Sequence, residues 1–140
     1  MSVMEILLPV FVQVLLTFAL LFWAGYLRNV DLNSGAVKPK DIALRQPNWT
    51  QRTMQVSNAY HNQLELPLLF YALMILLAIT RLADFLLIAL AWIFVVLRIA
   101  HAYVHVTSNR IQLRGPLFGF GSIALLVMWV VFIVRIAWVY

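Results

Sequence analysis

The chain has 140 residues, of which 64% are hydrophobic and 11% charged, and its mean hydropathy is +0.93. A soluble domain of this length has too small a core to bury so much apolar surface, which excludes an ordinary soluble fold. Cysteine is absent, which excludes a disulfide framework, a thiolate metal site and a cysteine nucleophile. The net charge of +5 fits contact with anionic lipid head groups, and we expect no nucleic-acid partner. The composition predicts one integral membrane domain over residues 1–140.

Four apolar segments follow one another along the chain, each near the roughly 20 residues that cross a bilayer core. We expect these spans at about residues 4–27, 54–80, 82–106 and 116–139. The short alternating segments of a membrane β-barrel are missing from the sequence. The first span lacks the basic flank and cleavage motif of a signal peptide, so we expect it to remain in the mature protein. The prediction is an all-α, up-and-down bundle of four transmembrane helices.

The connections predict the orientation of the bundle. The first and third are basic and cover residues 28–52 and 107–115, whereas the second is a tight turn where Asp84 should offset Arg81. Because Lys and Arg collect in cytoplasmic loops, loops one and three should face the cytoplasm and both termini the opposite side. The compact loops suggest a bacterial inner membrane. Pro116 suits the first turn of the last helix, where its missing N–H costs nothing.

The second span opens with polar residues that a bilayer should reject. On one continuous helix, four of them would share a face at positions i, i+3, i+4 and i+7: Asn58, His61, Asn62 and Glu65. Ionisable groups inside membrane helices are costly and usually mark a functional interior. This polar stripe is therefore a candidate site.

The third span carries a second polar stripe, with Arg98, His101 and His105 at i, i+3 and i+7. In an antiparallel bundle, its carboxyl end lies at the same membrane face as the amino end of the second span. Unpaired, Glu65 and Arg98 would each cost about 2.5–3.5 kcal/mol at a helix centre, so we expect them to pair. That pair could be a structural clasp, with Asn62 as a hydrogen-bonding partner, or part of a ligand site.

Further arginines should reach the same membrane face: Arg28, Arg52, Arg110 and Arg114. Taken singly, each could extend towards lipid head groups. Together with Arg98 they would form a basic bowl suited to a small ligand with several anionic groups, since arginine binds carboxylates through paired N–H groups and keeps its charge. An arginine beside a thiol would also lower the pKa of that thiol by stabilising the thiolate.

The histidines allow a metal site as an alternative. Two i, i+4 pairs on facing helices could hold a divalent cation: His61 with Glu65, and His101 with His105. Arg98 would repel such a cation, so a polar lining without a metal is the favoured interpretation.

The second span also resembles a known signature, in which an arginine is followed by Asn, Glu, Pro and Phe at fixed intervals. Asn62, Glu65, Pro67 and Phe70 match it, and the signature arginine falls on Asn58. This signature is typical of the membrane-associated proteins in eicosanoid and glutathione metabolism, the MAPEG family.

Other parts of the chain are similar to the same family. Arg98, His101, Arg110 and Arg114 stand at spacings seen in its prostaglandin E synthase-like members, where a tyrosine would fall on His105. The segment at residues 38–43 resembles the Pro-x-Asp segment of the family's first loop. The resemblance covers about the whole chain, with four spans in the same order.

The resemblance implies a homotrimer of four-helix protomers in the membrane, with glutathione as the cofactor between neighbouring subunits and lipophilic substrates arriving from the lipid. It implies that Arg114 stabilises the glutathione thiolate. By the same resemblance, further contacts to glutathione would come from Asn62, Glu65, Arg98 and Arg110. The polar stripes and the basic bowl add Arg28, Asn58, His101 and His105 as candidate contacts.

Three functional hypotheses follow. The first is a glutathione-dependent membrane transferase or peroxidase-like enzyme acting on lipophilic electrophiles. The second is a non-catalytic or differently liganded protein of the same fold, which binds a lipid or small anion; Asn58 and His105 motivate it because they depart from the family pattern. The third is the metal-binding bundle.

Overall fold

A computed structural model describes residues 1–139 of the chain, and in this part all regular structure is helical. The α-helices are α1 (Val3–Asn33), α2 (Gln51–His61), α3 (Leu66–Thr80), α4 (Phe85–Val106) and α5 (Ile111–Val139). Single 3-10 turns lie at Pro39–Asp41 and Asn62–Leu64. Four segments are long and apolar enough to cross a membrane, because α2 and α3 together form the second of them. The predicted all-α membrane bundle is confirmed.

The ends of the outer spans differ from the prediction. The helix α1 continues to Asn33, beyond the apolar segment, and α5 begins at Ile111. Pro116 therefore lies in the second turn of α5 and not in the first. The carbonyl of Arg110 starts this helix by accepting hydrogen bonds from the backbone N–H groups of Leu113 and Arg114.

The second span is broken near its polar end, so the prediction of one continuous helix was wrong. The chain leaves α2 at His61, makes a 3-10 turn, and passes through Glu65 at φ −96° and ψ −99° before α3 begins. Pro67 gives the physical reason, since it has no N–H for the carbonyl of Gln63 and its fixed φ suits the first turn of a new helix. The break turns Gln63 inward and leaves Glu65 exposed, so the predicted polar stripe does not keep a single face.

The bundle has two apolar cores. The larger one joins α3, α4 and α5 with Ile6 of α1, and in it the rings of Phe70 and Phe94 stack with their centroids 4.8 Å apart. The smaller one joins α1, α2 and α4 through Ala24, Ala59 and Ala102. Small residues let membrane helices approach closely, so this second core fixes the end of the bundle where the polar residues collect.

Much of the outer surface is apolar. Phe22 and Trp138, for example, are 70% and 86% exposed. Exposed apolar surface of this extent is typical of contact with lipid or with other membrane helices, because water would disfavour it.

The connection between α3 and α4 holds an ion pair that was not expected. Asp84 Oδ2 lies 2.7 Å from a guanidinium nitrogen of Arg135, so Asp84 offsets Arg135 and not Arg81. The hydrogen bond from Arg135 is the main cause that lowers the pKa of Asp84. Asp84 also caps α4, since its Oδ1 accepts a hydrogen bond from the backbone N–H of Leu87 at 3.0 Å.

Candidate functional site

A cleft of about 390 Å³ opens at one end of the bundle, between the end of α2, the last turns of α4 and the first turns of α5. The antiparallel arrangement brings these ends together, as the sequence predicts. The cleft is lined by Asn58, Asn62, His101, His105, Ile111, Arg114, Gly115 and Phe118. Five of the predicted site residues therefore share one cavity.

The two histidines of the cleft lie on successive turns of α4 and are almost fully buried. Their rings meet edge to face with centroids 5.7 Å apart. The side-chain amide nitrogen of Asn62 lies 3.3 Å from Nδ1 of His105, which links the α2 wall to the α4 wall. The contact sets the orientation of both side chains at the cleft.

Arg114 brings positive charge to the cleft from the first turn of α5. Its guanidinium donates a hydrogen bond to Oδ1 of Asn109 at 2.8 Å. Within residues 1–139 no carboxylate forms a salt bridge with it. A neutral amide thus holds the guanidinium in place, and its charge remains available to an anionic ligand.

Arg98 lies behind the cleft and is only 1% exposed. One of its terminal nitrogens donates to the backbone carbonyl of Asn62 at 2.9 Å, and the ring of Phe118 lies 5.8 Å from the guanidinium carbon. The predicted pair between Arg98 and Glu65 was wrong, since no salt bridge joins them and Glu65 is exposed. The break in the second span accounts for this, because in the irregular segment Gln63 is buried beside Arg98 while Glu65 is exposed.

One glutamine was missed as a partner of Arg98, and a second was missed as a partner of the first. The Oε1 of Gln63 accepts hydrogen bonds from Gln13 at 3.0 Å and from Arg98 at 3.4 Å, and its amide donates to the carbonyl of Ala59. Gln13 and Gln63 are 0% and 1% exposed. A glutamine inside the first apolar span was a usable signal, because polar side chains in membrane helices usually hydrogen-bond to another helix.

Arg28 lies in a second cavity of about 330 Å³, between α1, the first loop and α2. Its guanidinium packs 5.4 Å from the ring of Trp49. His61 lines this second cavity and not the cleft, while Asn58 lines both. The predicted basic bowl is therefore divided into two cavities that meet at Asn58.

Two other arginines of the predicted bowl, Arg52 and Arg110, do not line the cleft. Arg52 donates to the backbone carbonyl of Val106 and packs 4.9 Å from the ring of Trp23. With Gln55, whose amide donates to the carbonyl of His105 at 2.8 Å, it satisfies the free carbonyls at the end of α4. Arg110 precedes α5 and does not line the cleft. Among the arginines of the bowl, Arg114 alone lines the cleft.

The metal hypothesis finds no supporting geometry. His61 lies in a different cavity from His101 and His105. In the part of the chain that the structure describes, no three His, Asp or Glu side chains come together as metal ligands.

Comparison with known proteins identifies the family. The model of the MAPEG family matches residues 6–134, which include every residue that lines the cleft. No curated protein and no solved structure matches the chain. The family match covers nearly the whole chain and agrees with the four membrane-spanning segments. This protein belongs to the MAPEG family.

Proposed function

We propose that this protein is a glutathione-dependent membrane enzyme, of transferase or peroxidase type, that acts on lipophilic electrophiles. Family membership supports the proposal, because the MAPEG family includes glutathione-dependent transferases and peroxidases. The observation that carries it is Arg114, a cation without a carboxylate partner among residues 1–139, in a cleft that also holds Asn62 and two histidines.

The residues of the cleft fit an anionic peptide. A volume of about 390 Å³ is within the range of small-molecule sites. Arg114 can pair with a carboxylate or thiolate, while the amides of Asn58 and Asn62 can donate to and accept from peptide groups. Glu65 does not line the cleft. The family resemblance implies a contact between Glu65 and glutathione. That contact therefore requires either that the ligand extends beyond the cleft or that Glu65 of a neighbouring subunit reaches the ligand.

The chemistry follows from the charge of the cleft. When bound, glutathione supplies a thiol whose deprotonated form is the nucleophile for an electrophilic carbon or a peroxide oxygen. The Arg114 guanidinium stabilises the thiolate over the thiol and so lowers the thiol's pKa. His101 and His105 are the ring groups of the cleft that can hydrogen-bond to the bound ligand.

We further propose that the protein acts as a homotrimer. Arg28, Glu65 and Arg110 do not line the cleft of their own chain, so contacts from them to a ligand in a cleft are most simply made by a neighbouring copy. The exposed apolar surface offers area for such packing. We place the cleft at the cytoplasmic face of a bacterial inner membrane, because the basic first and third loops lie at this end.

An activity assay tests the proposal. Purified protein in lipid nanodiscs is given glutathione with a model electrophile or a lipid hydroperoxide. Arg114→Gln should lower the rate at neutral pH about tenfold or more, because each unit by which the thiol pKa rises costs tenfold in thiolate. It should also move the alkaline rise of the pH profile upward. Arg81→Gln, which changes a cation at the opposite end of the bundle, is the matched control. A wild-type rate equal to that of empty nanodiscs contradicts the proposal.

A second candidate is a differently liganded protein that binds a small anion or lipid without turnover. It is favoured by Asn58, which stands where the family signature has arginine, and by Arg98, which bonds to Asn62 and Gln63 behind the cleft. Turnover that depends on glutathione and is lost in Arg114→Gln would exclude this candidate.

A further inference from the structure

The cavity around Arg28, which we call the first-loop cavity, lies between α1, the first loop and α2. Its volume of about 330 Å³ is within the range of small-molecule sites. It and the cleft have Asn58 as their one common lining residue. The first-loop cavity is therefore separate from the cleft in which we place glutathione.

Two cations line the first-loop cavity from different elements. Arg28 comes from α1, and Arg45 comes from the first loop. Among residues 1–139, no Asp or Glu lines the cavity or forms a salt bridge with either arginine. Asp31 lies one turn beyond Arg28, but its carboxylate accepts hydrogen bonds from the hydroxyl of Thr50 at 2.9 and 3.1 Å. The cavity thus carries positive charge that no described carboxylate neutralises.

Two polar atoms of the residues that line the cavity lack hydrogen-bond partners. Ser57 is 4% exposed, and within residues 1–139 its hydroxyl has no partner. The Nε–H of Arg28 is also buried without an acceptor in that part of the chain. Buried donors are costly to leave unpaired, and the hydrocarbon of the membrane offers them no acceptor. A ligand rich in oxygen atoms would supply these acceptors.

Arg45 stands at the rim of the cavity in an unusual backbone conformation. Its φ is +63°, and its N–H donates to the carbonyl of Ile42 at 3.2 Å. Glycine or asparagine would adopt this left-handed conformation more easily, so the turn itself does not require an arginine. The preceding residue, Leu44, is 84% exposed, which fits a loop that lies against lipid. The rim of the cavity therefore lies near the membrane surface, where phosphate head groups are found.

We propose that the first-loop cavity binds a phosphate group. Arg28 and Arg45 can each donate two N–H groups to phosphate oxygens, because the planar guanidinium matches their geometry. Ser57 and the amide of Asn58 can donate to the remaining oxygens from the α2 wall. The phosphate is carried either by the head group of an anionic phospholipid or by a soluble phosphate ion or ester. The site goes beyond the proposed function, because it needs no glutathione.

Binding of inorganic phosphate tests the proposal. Protein purified in maltoside micelles without phosphate is titrated calorimetrically, alone and with millimolar glutathione. We expect saturable binding that glutathione does not displace. Arg45→Gln and Ser57→Ala should each weaken this binding about three- to tenfold, since each removes a donor to a charged group. Lys40→Gln is the matched control, because Lys40 is an exposed cation of the same loop that does not line the cavity.

Two lipids identify the source of the phosphate. Binding of phosphatidylglycerol, and of diacylglycerol with the same acyl chains, is measured by native mass spectrometry of the same protein. If phosphatidylglycerol binds in preference to diacylglycerol, displaces inorganic phosphate and binds more weakly to Arg45→Gln, the site takes a lipid head group. If inorganic phosphate stays bound in the presence of phosphatidylglycerol, the site takes soluble phosphate.

Three outcomes overturn the proposal. The first is the absence of saturable binding for both inorganic phosphate and phosphatidylglycerol. The second is binding that Arg45→Gln and Ser57→Ala both leave unchanged. The third is displacement of phosphate by glutathione together with a loss of glutathione affinity in Arg45→Gln, which would make the cavity part of the glutathione site.

Discussion

Gln63 joins three helices inside the membrane through one side chain. Its Oε1 accepts from Gln13 of α1 and from Arg98 of α4, and its own amide donates to α2. Lipid cannot replace these partners, so the network holds Arg98 against the carbonyl of Asn62. Because the side chain of Asn62 faces His105, the network also fixes one wall of the cleft.

Gln63→Leu should lower the free energy of unfolding by about 1–3 kcal/mol, because it removes the acceptor from two buried donors. Unfolding of the purified protein in mixed micelles measures the change. Gln112→Leu is the matched control, since Gln112 is exposed at the start of α5 and should change stability by about 0.5 kcal/mol or less. Equal losses in the two variants would contradict the network.

At the scale of single residues, the sequence predicted which polar side chains share a cavity better than it predicted which of them form hydrogen bonds or ion pairs. Asn62, His105 and Arg114 do share a cleft. The predicted pair of Glu65 with Arg98 was wrong because the prediction assumed regular helical spacing across the break. A break of this kind changes the direction in which the later side chains point. The partner Gln63 could not be identified while the second span was treated as one helix.

At the scale of helices, two devices shape the site. The break at Glu65 separates α2 from α3, and side chains of α2 cap the end of α4. The amino end of α4 follows Asp84, which caps the helix and also forms an ion pair with Arg135. The two roles of Asp84 can be separated by mutation.

Asp84→Asn should keep the helix cap and lose the ion pair, whereas Asp84→Ala should lose both. The partly exposed pair is worth about 0.5 kcal/mol or less, and the cap about 1 kcal/mol. Because the folded pKa of Asp84 is lowered, the ion-pair contribution is present above the unfolded value and is lost as the pH falls below about 4.

Unfolding in mixed micelles at neutral and acidic pH measures these contributions. Wild type should lose slightly more stability on acidification than Asp84→Asn does. If Asp84→Asn lowers the free energy of unfolding as much as Asp84→Ala does, the helix cap does not contribute to stability as we predict.

The four spans could be predicted because hydropathy and length determine them. The break could not be located by hydropathy, because it lies among residues 62–65, which are mostly polar and precede the apolar run, and hydropathy carries no information on backbone geometry there. Its signal was Pro67, which was used for the family resemblance and not for the backbone. The early start of α5 was missed for a related reason: Pro116 was taken as a start signal, although a proline is also tolerated further into a helix near its amino end.

At the scale of the whole molecule, the antiparallel order of the spans brings the polar ends of α2, α4 and α5 together. The sequence predicted this convergence from topology. It did not predict that the first loop would enclose Arg28 with Trp49 in a cavity of its own, because loop packing has no periodic signal. The cleft therefore carries less positive charge than the predicted bowl of five arginines would have.

The central claim is that glutathione binds in the cleft through Arg114. Calorimetric titration of glutathione into the purified protein in lipid nanodiscs tests it most directly. We predict saturable heat for wild type and for Arg81→Gln, and a loss of affinity of about tenfold or more for Arg114→Gln, since a charge-assisted contact is worth about 1.5–3 kcal/mol. Absence of saturable heat and of thermal stabilisation in wild type at millimolar glutathione would contradict the claim.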